Sequence, residues 1–252
     1  MTLSVVVITR DSETVIRRCL ESVKWAGEIV VVDSGSTDRT VEIARELGAR
    51  VKVTDDWPGY GPQKNRALDL ATGEWVLSLD SDEWVTPELR AEIERAVASP
   101  GGKAAFRMPR RSSFCGRFMR HSGWWPDYVT RLFRRDAARF SADLAHERLI
   151  ATGAVGRLAQ PILHEAIADL DQMLAKMNSY SSAGARMFHE KGRRASLFAA
   201  LLHGGWAFFR TYVLRAGFLD GREGLILAIA NAEGSYYRYL KLMLLADKSG
   251  EQ

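Results

Sequence analysis

The chain has 252 residues and a net charge of +4, which allows one large α/β domain or such a domain with a helical appendage. Hydrophobic residues make up 46% and charged residues 26%, the proportions of a globular protein, and they exclude a disordered chain. The two cysteines, Cys19 and Cys115, belong to no CxxC or Cys/His pattern. Neither a disulfide framework nor a zinc site is therefore expected, and a reducing cytoplasm fits best.

Strands and helices alternate over the first 98 residues. Continuous β-branched and apolar runs predict buried strands, and helical spacing of apolar residues predicts helices. The expected strands are Leu3–Thr9, Glu28–Val32, Arg50–Thr54 and Trp75–Leu79. The expected helices are Glu13–Lys24, Thr37–Leu47 with Ser36 or Thr37 as N-cap, Pro62–Ala71 and Pro87–Ala98. This order predicts a mostly parallel sheet with helices on both faces, which binds ligands at the carboxyl ends of its strands.

The pattern changes after the turn at residues 99–102. Short strands are expected at Ala104–Met108, Thr130–Arg134 and Gly156–Leu163, followed by helices from about Ala166 to Ala246. The N-terminus lacks the basic region and cleavage site of a signal peptide. The apolar stretch Ala195–Phe209 is shorter than the roughly 20 residues needed to cross a bilayer, so no transmembrane helix is expected.

An acidic cluster follows the fourth predicted strand. Asp80 and Asp82 are two residues apart, so in extended geometry their side chains point the same way. Several carboxylates at a buried strand end are costly unless a cation neutralises them, and magnesium or manganese commonly uses one or two carboxylates plus substrate phosphates. The alternative is an acidic first turn of the helix after Pro87. The position of Asp80 and Asp82 at a strand end favours a metal site over this alternative.

Two further segments suggest nucleotide binding. Asp33 ends the second predicted strand, where a carboxylate can accept hydrogen bonds from a ribose hydroxyl or a base N–H. Asp38 is expected in the first turn of the next helix. The segment Gly61–Ala67 opens a helix whose positive end, with Lys64 or Arg66, could face a diphosphate. An ordinary capped helix with a solvated basic face would give the same pattern.

In their order and spacing, four segments resemble the family 2 glycosyltransferases of GT-A fold. They are Val5–Thr9, Val32–Asp38, Gln63–Ala67 and Asp80–Glu83. Later motifs are similar to the lipopolysaccharide-core β-glucosyltransferase subgroup: Trp125–Tyr128, Arg131–Arg134, His146–Glu147, Ile162–Glu165, Lys176–Tyr180 and Phe218–Gly224. The resemblance implies a catalytic domain over residues 1–165, with a nucleotide-sugar half (1–98) and an acceptor half (99–165). A helical C-terminal region over 166–252 would complete an α/β, Rossmann-like fold.

The resemblance also implies roles for the strand-end residues. Thr9 and Asp33 would contact the nucleotide, usually uridine, and Asp80 would lie near the ribose or the metal. Asp82 would bind the divalent cation, manganese or magnesium, that bridges the diphosphate. His164 would ligate that metal or touch the diphosphate, although a lone histidine is more often structural.

Inversion at the anomeric carbon requires a carboxylate on the acceptor side to take the hydroxyl proton. Glu147 is the expected base and Asp127 its rival, while Lys64 or Arg66 would assist the leaving group. Trp124 and Trp125 would stack on a sugar ring, unless they only pack. His146, beside Glu147, is expected at the acceptor.

The C-terminal region combines apolar and basic residues. Aromatic and aliphatic side chains concentrate between Leu197 and Phe209, and arginines flank the stretch. These helices either pack on the core or a second subunit, giving a homo-oligomer, or lie on the inner leaflet of a membrane. An acceptor anchored in lipid favours a peripheral location on the cytoplasmic face of the inner membrane.

The function implied is transfer of a hexose, glucose from UDP-glucose, to a heptose of the lipopolysaccharide inner core. Polyprenyl phosphate or another envelope glycan is an alternative acceptor. A dinucleotide-binding enzyme or a nucleotidyltransferase would need a glycine-rich loop after the first strand, and the sequence there is Thr9–Glu13. A non-catalytic nucleotide-sugar or lipid-binding module would have no need of an acceptor-side base. Nucleic-acid binding is not indicated, because the basic residues form no known reading motif.

Overall fold

The computed structural model describes residues 2–142 and 147–250, with backbone alone for 247–250. The chain divides into two compact units. The first comprises Met1–Arg110 and Asp127–His164, and the second comprises Arg111–Pro126 and Glu165–Gln252. Residues 111–126, which the sequence places with the acceptor half, therefore lie with the C-terminal helices.

Twelve strands occur in the described part of the chain. They are β1 Leu3–Thr9, β2 Glu28–Asp33, β3 Arg50–Val53, β4 Trp75–Asp80, β5 Glu83–Trp84, β6 Lys103–Phe114, β7 Arg117–Phe118, β8 Asp127–Arg134, β9 Ala138–Phe140, β10 Leu149–Ala151, β11 Ala154–Arg157 and β12 Ile162–Ile167. The main sheet has the order β3-β2-β1-β4-β8-β6-β12-β5. Its first four strands are parallel, as predicted, whereas β8 runs antiparallel to both β4 and β6.

Seven α-helices occur in the same described residues. They are α1 Ile16–Glu21, α2 Thr40–Glu46, α3 Tyr60–Leu70, α4 Pro87–Ala98, α5 Leu170–Glu190, α6 Leu197–Phe209 and α7 Gly221–Gly250. The α4 bounds agree with the prediction. Helix α2 begins later than expected, and neither Ser36 nor Thr37 is its N-cap. Asp38, expected in the first turn, also precedes the helix, and its carboxylate accepts hydrogen bonds from the backbone N–H groups of Glu13 and Thr40.

Helices cover both faces of the sheet in the first unit. Alternate residues of β1 point to opposite faces, so Val5 and Val7 join one core cluster while Val6 and Ile8 join another. The first cluster includes buried residues of α1, α2 and α4, and the second includes Ala67 and Leu68 of α3. The predicted two-faced α/β architecture is confirmed for this unit.

The second unit is held together by α7. This helix packs against α5 and α6, and Leu227 and Ala230 join Phe114, Met119 and Met173 in one apolar cluster. The buried carboxylate of Asp220 accepts the backbone N–H groups of Arg120 and His121, each at 3.0 Å. It also accepts the hydroxyl of Ser122 at 2.9 Å. These bonds explain why residues 111–126 belong to this unit.

The helical segment that begins with α6 extends beyond the apolar stretch Ala195–Phe209. After Phe209 it continues through a π-helical turn, Arg210–Leu214, and the chain then enters a short 3-10 turn, Gly217–Asp220. The stretch Leu197–Leu214 thus has 18 residues, a mean hydropathy of 1.2 and 22% of its residues buried. By length and composition alone this stretch could cross a bilayer, in contrast to the expectation from the sequence.

Candidate functional site

Three predicted ligand-binding residues end neighbouring parallel strands. Thr9 pairs with Asp33 across β1 and β2, and Ile8 pairs with Asp80 across β1 and β4. The side chains of Thr9, Asp33 and Asp80 therefore share one edge of the sheet. The hydroxyl of Thr9 is buried and has no hydrogen-bond partner among the described residues. Such a group costs about 1–3 kcal/mol when left unsatisfied, so it marks a position suited to a polar ligand.

Asp33 fixes the loop that follows its own strand. Its carboxylate accepts the backbone N–H groups of Gly35 at 3.0 Å and Ser36 at 2.8 Å, together with the Ser36 hydroxyl. Gly35 has φ +76°, a conformation that favours glycine. Asp33 is fully buried. The structure gives Asp33 this loop-fixing role, and its contact with a nucleotide stays a prediction.

Sequence reasoning missed the residues that join the loops after β1 and β2. Asp11 accepts the backbone N–H of Thr37 at 2.8 Å, and Ser12 donates its N–H to the Thr40 hydroxyl at 2.7 Å. Asp38 accepts the N–H of Glu13 at 3.0 Å. Desolvation alone would raise the pKa of Asp38, but hydrogen bonds from Thr40 and Glu13 lower it. The signal for this junction was the run of polar residues directly after each strand.

Helix α3 uses successive residues of the predicted Gly61–Ala67 segment for different contacts. Gln63 donates to the Ser34 hydroxyl at 3.0 Å and to the Thr54 hydroxyl at 2.9 Å. Asn65 bonds both the N–H and the C=O of Phe140 in β9. These bonds join α3 to the loop after β2 and to β9, which precedes residue 147 in the chain.

Gly61 allows the loop that carries Glu147 to approach α3 closely. A Cβ atom on Gly61 would lie 1.8 Å from the backbone oxygen of Ser141 and 3.4 Å from the Cβ of Glu147. No side chain fits at 1.8 Å from a backbone atom, so the approach requires glycine at this position. His146, predicted to contact the acceptor, lies outside the described residues.

Lys64 connects two of the predicted site residues. Its side chain is 4% exposed, and its ammonium lies 2.9 Å from Asp80 Oδ1 and 2.7 Å from Glu147 Oε1. Arg66, the alternative cation, instead makes a bidentate pair with the exposed Asp56, at 2.7 Å for each bond. Lys64 is therefore the cation that meets the strand-end carboxylate.

Asp80 is held by a second cation, Arg131 of β8. Arg131 donates to Asp80 and, at 2.7 Å, to the fully buried Glu83. Desolvation alone would raise the pKa of Asp80, but the charges of Arg131 and Lys64 hold it well below its usual range. The pKa of Arg131 is raised above its usual value, because the charges of Asp80 and Glu83 outweigh its own desolvation. Both groups are thus charged at neutral pH.

The ion pairs continue to the second predicted base. Arg110 lies 3.6 Å from Glu83 and 2.7 Å from Asp127. Carboxylates and cations therefore alternate along one series of ion pairs, which we call the charge chain. Its members in order are Glu147, Lys64, Asp80, Arg131, Glu83, Arg110 and Asp127. The two candidate bases stand at its two ends.

Asp82 lies beside His164, the other predicted metal ligand. His164 pairs with Glu83 across β12 and β5, and its Nε2 is 3.5 Å from Asp82 Oδ2. No group of three or more His, Cys, Asp or Glu ligands occurs among the residues that the structure describes. One carboxylate and one imidazole nevertheless fit a cation that takes its remaining ligands from phosphate and water.

The buried thiol of Cys19 lies behind these carboxylates, 3.6 Å from the backbone oxygen of Asp80. Burial, and then the charges of Glu83, Asp82 and Asp80, raise the pKa of Cys19 well above its usual value.

The two predicted aromatic contacts, Trp124 and Trp125, lie in the second unit, where Trp124 packs edge to face on Phe114.

Comparison with known proteins assigns the chain to a family. Residues 4–155 match the family model described as Glycosyl transferase family 2. The uncharacterized glycosyltransferase RC0292 of Rickettsia conorii is 30% identical and aligns over 98% of this chain and 90% of its own. The lipopolysaccharide core biosynthesis glycosyltransferase LpsC of Rhizobium meliloti is 28% identical over 94% of this chain and 93% of its own.

A solved structure supports the fold. The structure of S. aureus TarS 1-349 in complex with UDP superimposes with a TM-score of 0.52, covering 99% of this chain and 92% of that one. The two sequences are 17% identical, so the likeness concerns the fold.

Proposed function

Because this chain belongs to glycosyltransferase family 2, we propose that it transfers glucose from UDP-glucose to a heptose of the lipopolysaccharide inner core. The observation that carries the proposal is the cluster of Thr9, Asp33 and Asp80 at one carboxyl edge, where an open sheet binds its ligands. The name of LpsC, which aligns along nearly the whole chain, supports the acceptor. The UDP bound to TarS supports a uridine nucleotide.

Asp82 and His164 would hold a divalent cation, manganese or magnesium. When bound, the cation would neutralise the departing diphosphate. Asp80 is a weaker candidate for a metal ligand, since Lys64 and Arg131 already compensate its charge. Thr9 would donate its buried hydroxyl to the nucleotide.

Glu147 would take the proton of the acceptor hydroxyl as that hydroxyl attacks the anomeric carbon in line. The anomeric configuration of the sugar would therefore be inverted in the product. Lys64 would hold the Glu147 carboxylate in place and link its position to Asp80. Asp127 remains the rival base, with Arg110 in the corresponding holding role.

The donor site is tested by calorimetric titration of UDP into the protein, with and without manganese. We expect saturable binding that manganese strengthens, and we expect Asp82→Asn to abolish the effect of manganese. Asp56→Asn, which removes an exposed carboxylate paired with Arg66, is the matched control and should behave like the wild type. Absence of UDP binding under both conditions would contradict the proposal.

The base is tested by a matched pair of variants, Glu147→Gln and Asp127→Asn. Loss of a general base lowers turnover by about 10²–10⁴-fold, so Glu147→Gln should cause this loss while UDP binding persists. Turnover is measured as transfer from labelled UDP-glucose to inner-core acceptors, and the anomeric configuration of the product is read by NMR. If only Asp127→Asn lost turnover, the assignment would move to Asp127. A retained anomeric configuration would rule out inversion.

A further inference from the structure

The second unit exposes large apolar side chains along α6 and the turns that follow. Phe198 is 74% exposed, Leu202 60% and Trp206 53%. Other large apolar side chains of the same stretch are also exposed: Leu197, Leu201, Phe209, Val213, Leu214, Phe218 and Leu219. We call this stretch, residues 197–219, the apolar face. Contiguous exposed apolar surface of this kind marks an interaction site.

The fully buried positions of α6 and of the π-helical turn that follows it are all small residues. Ala200, Gly204, Ala207 and Thr211 recur with helical spacing and are buried. A Cβ on Gly204 would lie 3.1 Å from the Cβ of Tyr236, which shows that this stripe packs on α7. Small residues inside and large apolar residues outside reverse the arrangement expected of a helix in water.

Every charged residue from position 191 to position 219 is basic. Lys191, Arg193, Arg194, Arg210 and Arg215 are exposed, and the sequence from residue 191 to residue 219 contains no aspartate or glutamate. Trp206 and Tyr212 add amphipathic rings of the kind enriched at membrane interfaces. A surface that combines exposed apolar residues with these cations complements a bilayer with anionic headgroups.

We propose that the apolar face binds the surface of an anionic lipid bilayer, with α6 lying in the interface rather than crossing it. Helix α7, which packs along α6, carries Glu233, Arg238 and Lys241. Charged groups are costly in the hydrocarbon core, so the helix pair suits the interface. The inference does not rest on the proposed function, since it concerns the lipid and not the saccharide.

Binding is tested by co-sedimentation of the full chain with vesicles, without donor or acceptor. One set of vesicles contains phosphatidylcholine and phosphatidylglycerol, and the other contains phosphatidylcholine alone. The wild type should sediment with the first set and not with the second, and an alkaline carbonate wash should release it. Failure to bind, equal binding to both sets, or resistance to the wash would overturn the proposal.

Two triple variants locate the binding surface. Leu201→Ser/Leu202→Ser/Trp206→Ser should lower the partition coefficient at least about tenfold, because the three side chains no longer bury apolar area. Lys191→Gln/Arg194→Gln/Arg210→Gln should lower it by at least about tenfold on the anionic vesicles. All six positions are exposed, and circular dichroism checks that each variant keeps its helices.

Matched controls change the same chemistry in the first unit. Val53→Ser/Ile150→Ser/Val155→Ser removes three exposed apolar side chains, and Arg45→Gln/Lys52→Gln/Arg95→Gln removes three exposed cations. Both controls should sediment like the wild type. If a control lost binding, or if the α6 apolar variant sedimented like the wild type, the apolar face would not be the lipid-binding surface. A dimer that the α6 variant converts to monomers without altered vesicle binding would identify a second copy as the occupant.

Discussion

The first unit buries several charged side chains, whereas the second unit exposes many large apolar side chains. Glu83 is fully buried and Lys64 nearly so, and both are compensated by partners of opposite charge. In the apolar face, by contrast, Phe198 and Leu202 are 74% and 60% exposed among the residues that the structure describes. The difference indicates that the first unit is organised around a polar ligand and the second around an apolar surface.

The largest expected effect comes from removing the cation in the middle of the charge chain. Lys64→Met keeps most of the side-chain volume but leaves Asp80 and Glu147 without their shared partner. Breaking a buried ion pair costs about 3–5 kcal/mol, so the free energy of unfolding should fall by about that amount. Urea denaturation measures it.

Arg66→Met on the same helix is the control, because its pair with Asp56 is exposed. An exposed pair contributes about 0–1 kcal/mol, so this variant should stay close to the wild type. Equal losses for the two variants would mean that buried charge is not what distinguishes the first unit.

A smaller effect on stability is expected at Gly61, where α3 meets the backbone of Ser141. Gly61→Ala places a methyl group against the Ser141 backbone oxygen, so the loop that carries Glu147 must move. We expect a loss of about 1–3 kcal/mol, typical of overpacking, together with reduced turnover. Thermal unfolding and the transfer assay measure the two effects. Unchanged turnover would show that the position of this loop does not matter for transfer.

Effects on stability of similar or smaller size test how α6 packs on α7. Gly204→Leu should destabilise by about 1–3 kcal/mol, because the side chain would collide with Ala232 and Tyr236 of α7. Gly205→Leu has open space around the new Cβ, and it should stabilise by up to about 1 kcal/mol through helix propensity. Thermal unfolding compares them. A tolerated Gly204→Leu would contradict the packing of this stripe on α7.

The parallel half of the sheet could be predicted because its signals are local. Each of its longer strands is nearly all apolar, and the spacing of apolar residues marks the helices between them. The antiparallel half was only partly predicted. Strands β5 and β7 have two residues each, too few to show any periodicity. Strand β6 continues past Met108 to Phe114 through arginines and serines that do not read as strand residues.

Part of the candidate site was predictable as individual residues, but its contacts were not. Strand ends identify Asp33 and Asp80, since the carboxyl edge of a parallel sheet is fixed by chain direction. The partners of Asp80 are distant in sequence, and Arg131, 51 residues away, lies in a strand whose pairing was not predicted. Whether Lys64 or Arg66 contacts Asp80 depends on which side of α3 faces the sheet. The sequence does not fix where this helix begins, so it does not determine that side.

The two cysteines fall one in each unit, which gives the chain two built-in chemical reporters. Cys19 is buried behind the strand-end carboxylates, and Cys115 is partly exposed at a turn of the second unit. A thiol reagent reaches a buried cysteine only when the surrounding structure opens, so the alkylation rate of Cys19 measures the opening free energy of the first unit. Cys115, which is partly exposed, reacts without such an opening and gives the rate of an accessible thiol in the same sample. The ratio of the two rates thus reports the opening of the first unit in the native sequence without introducing any label.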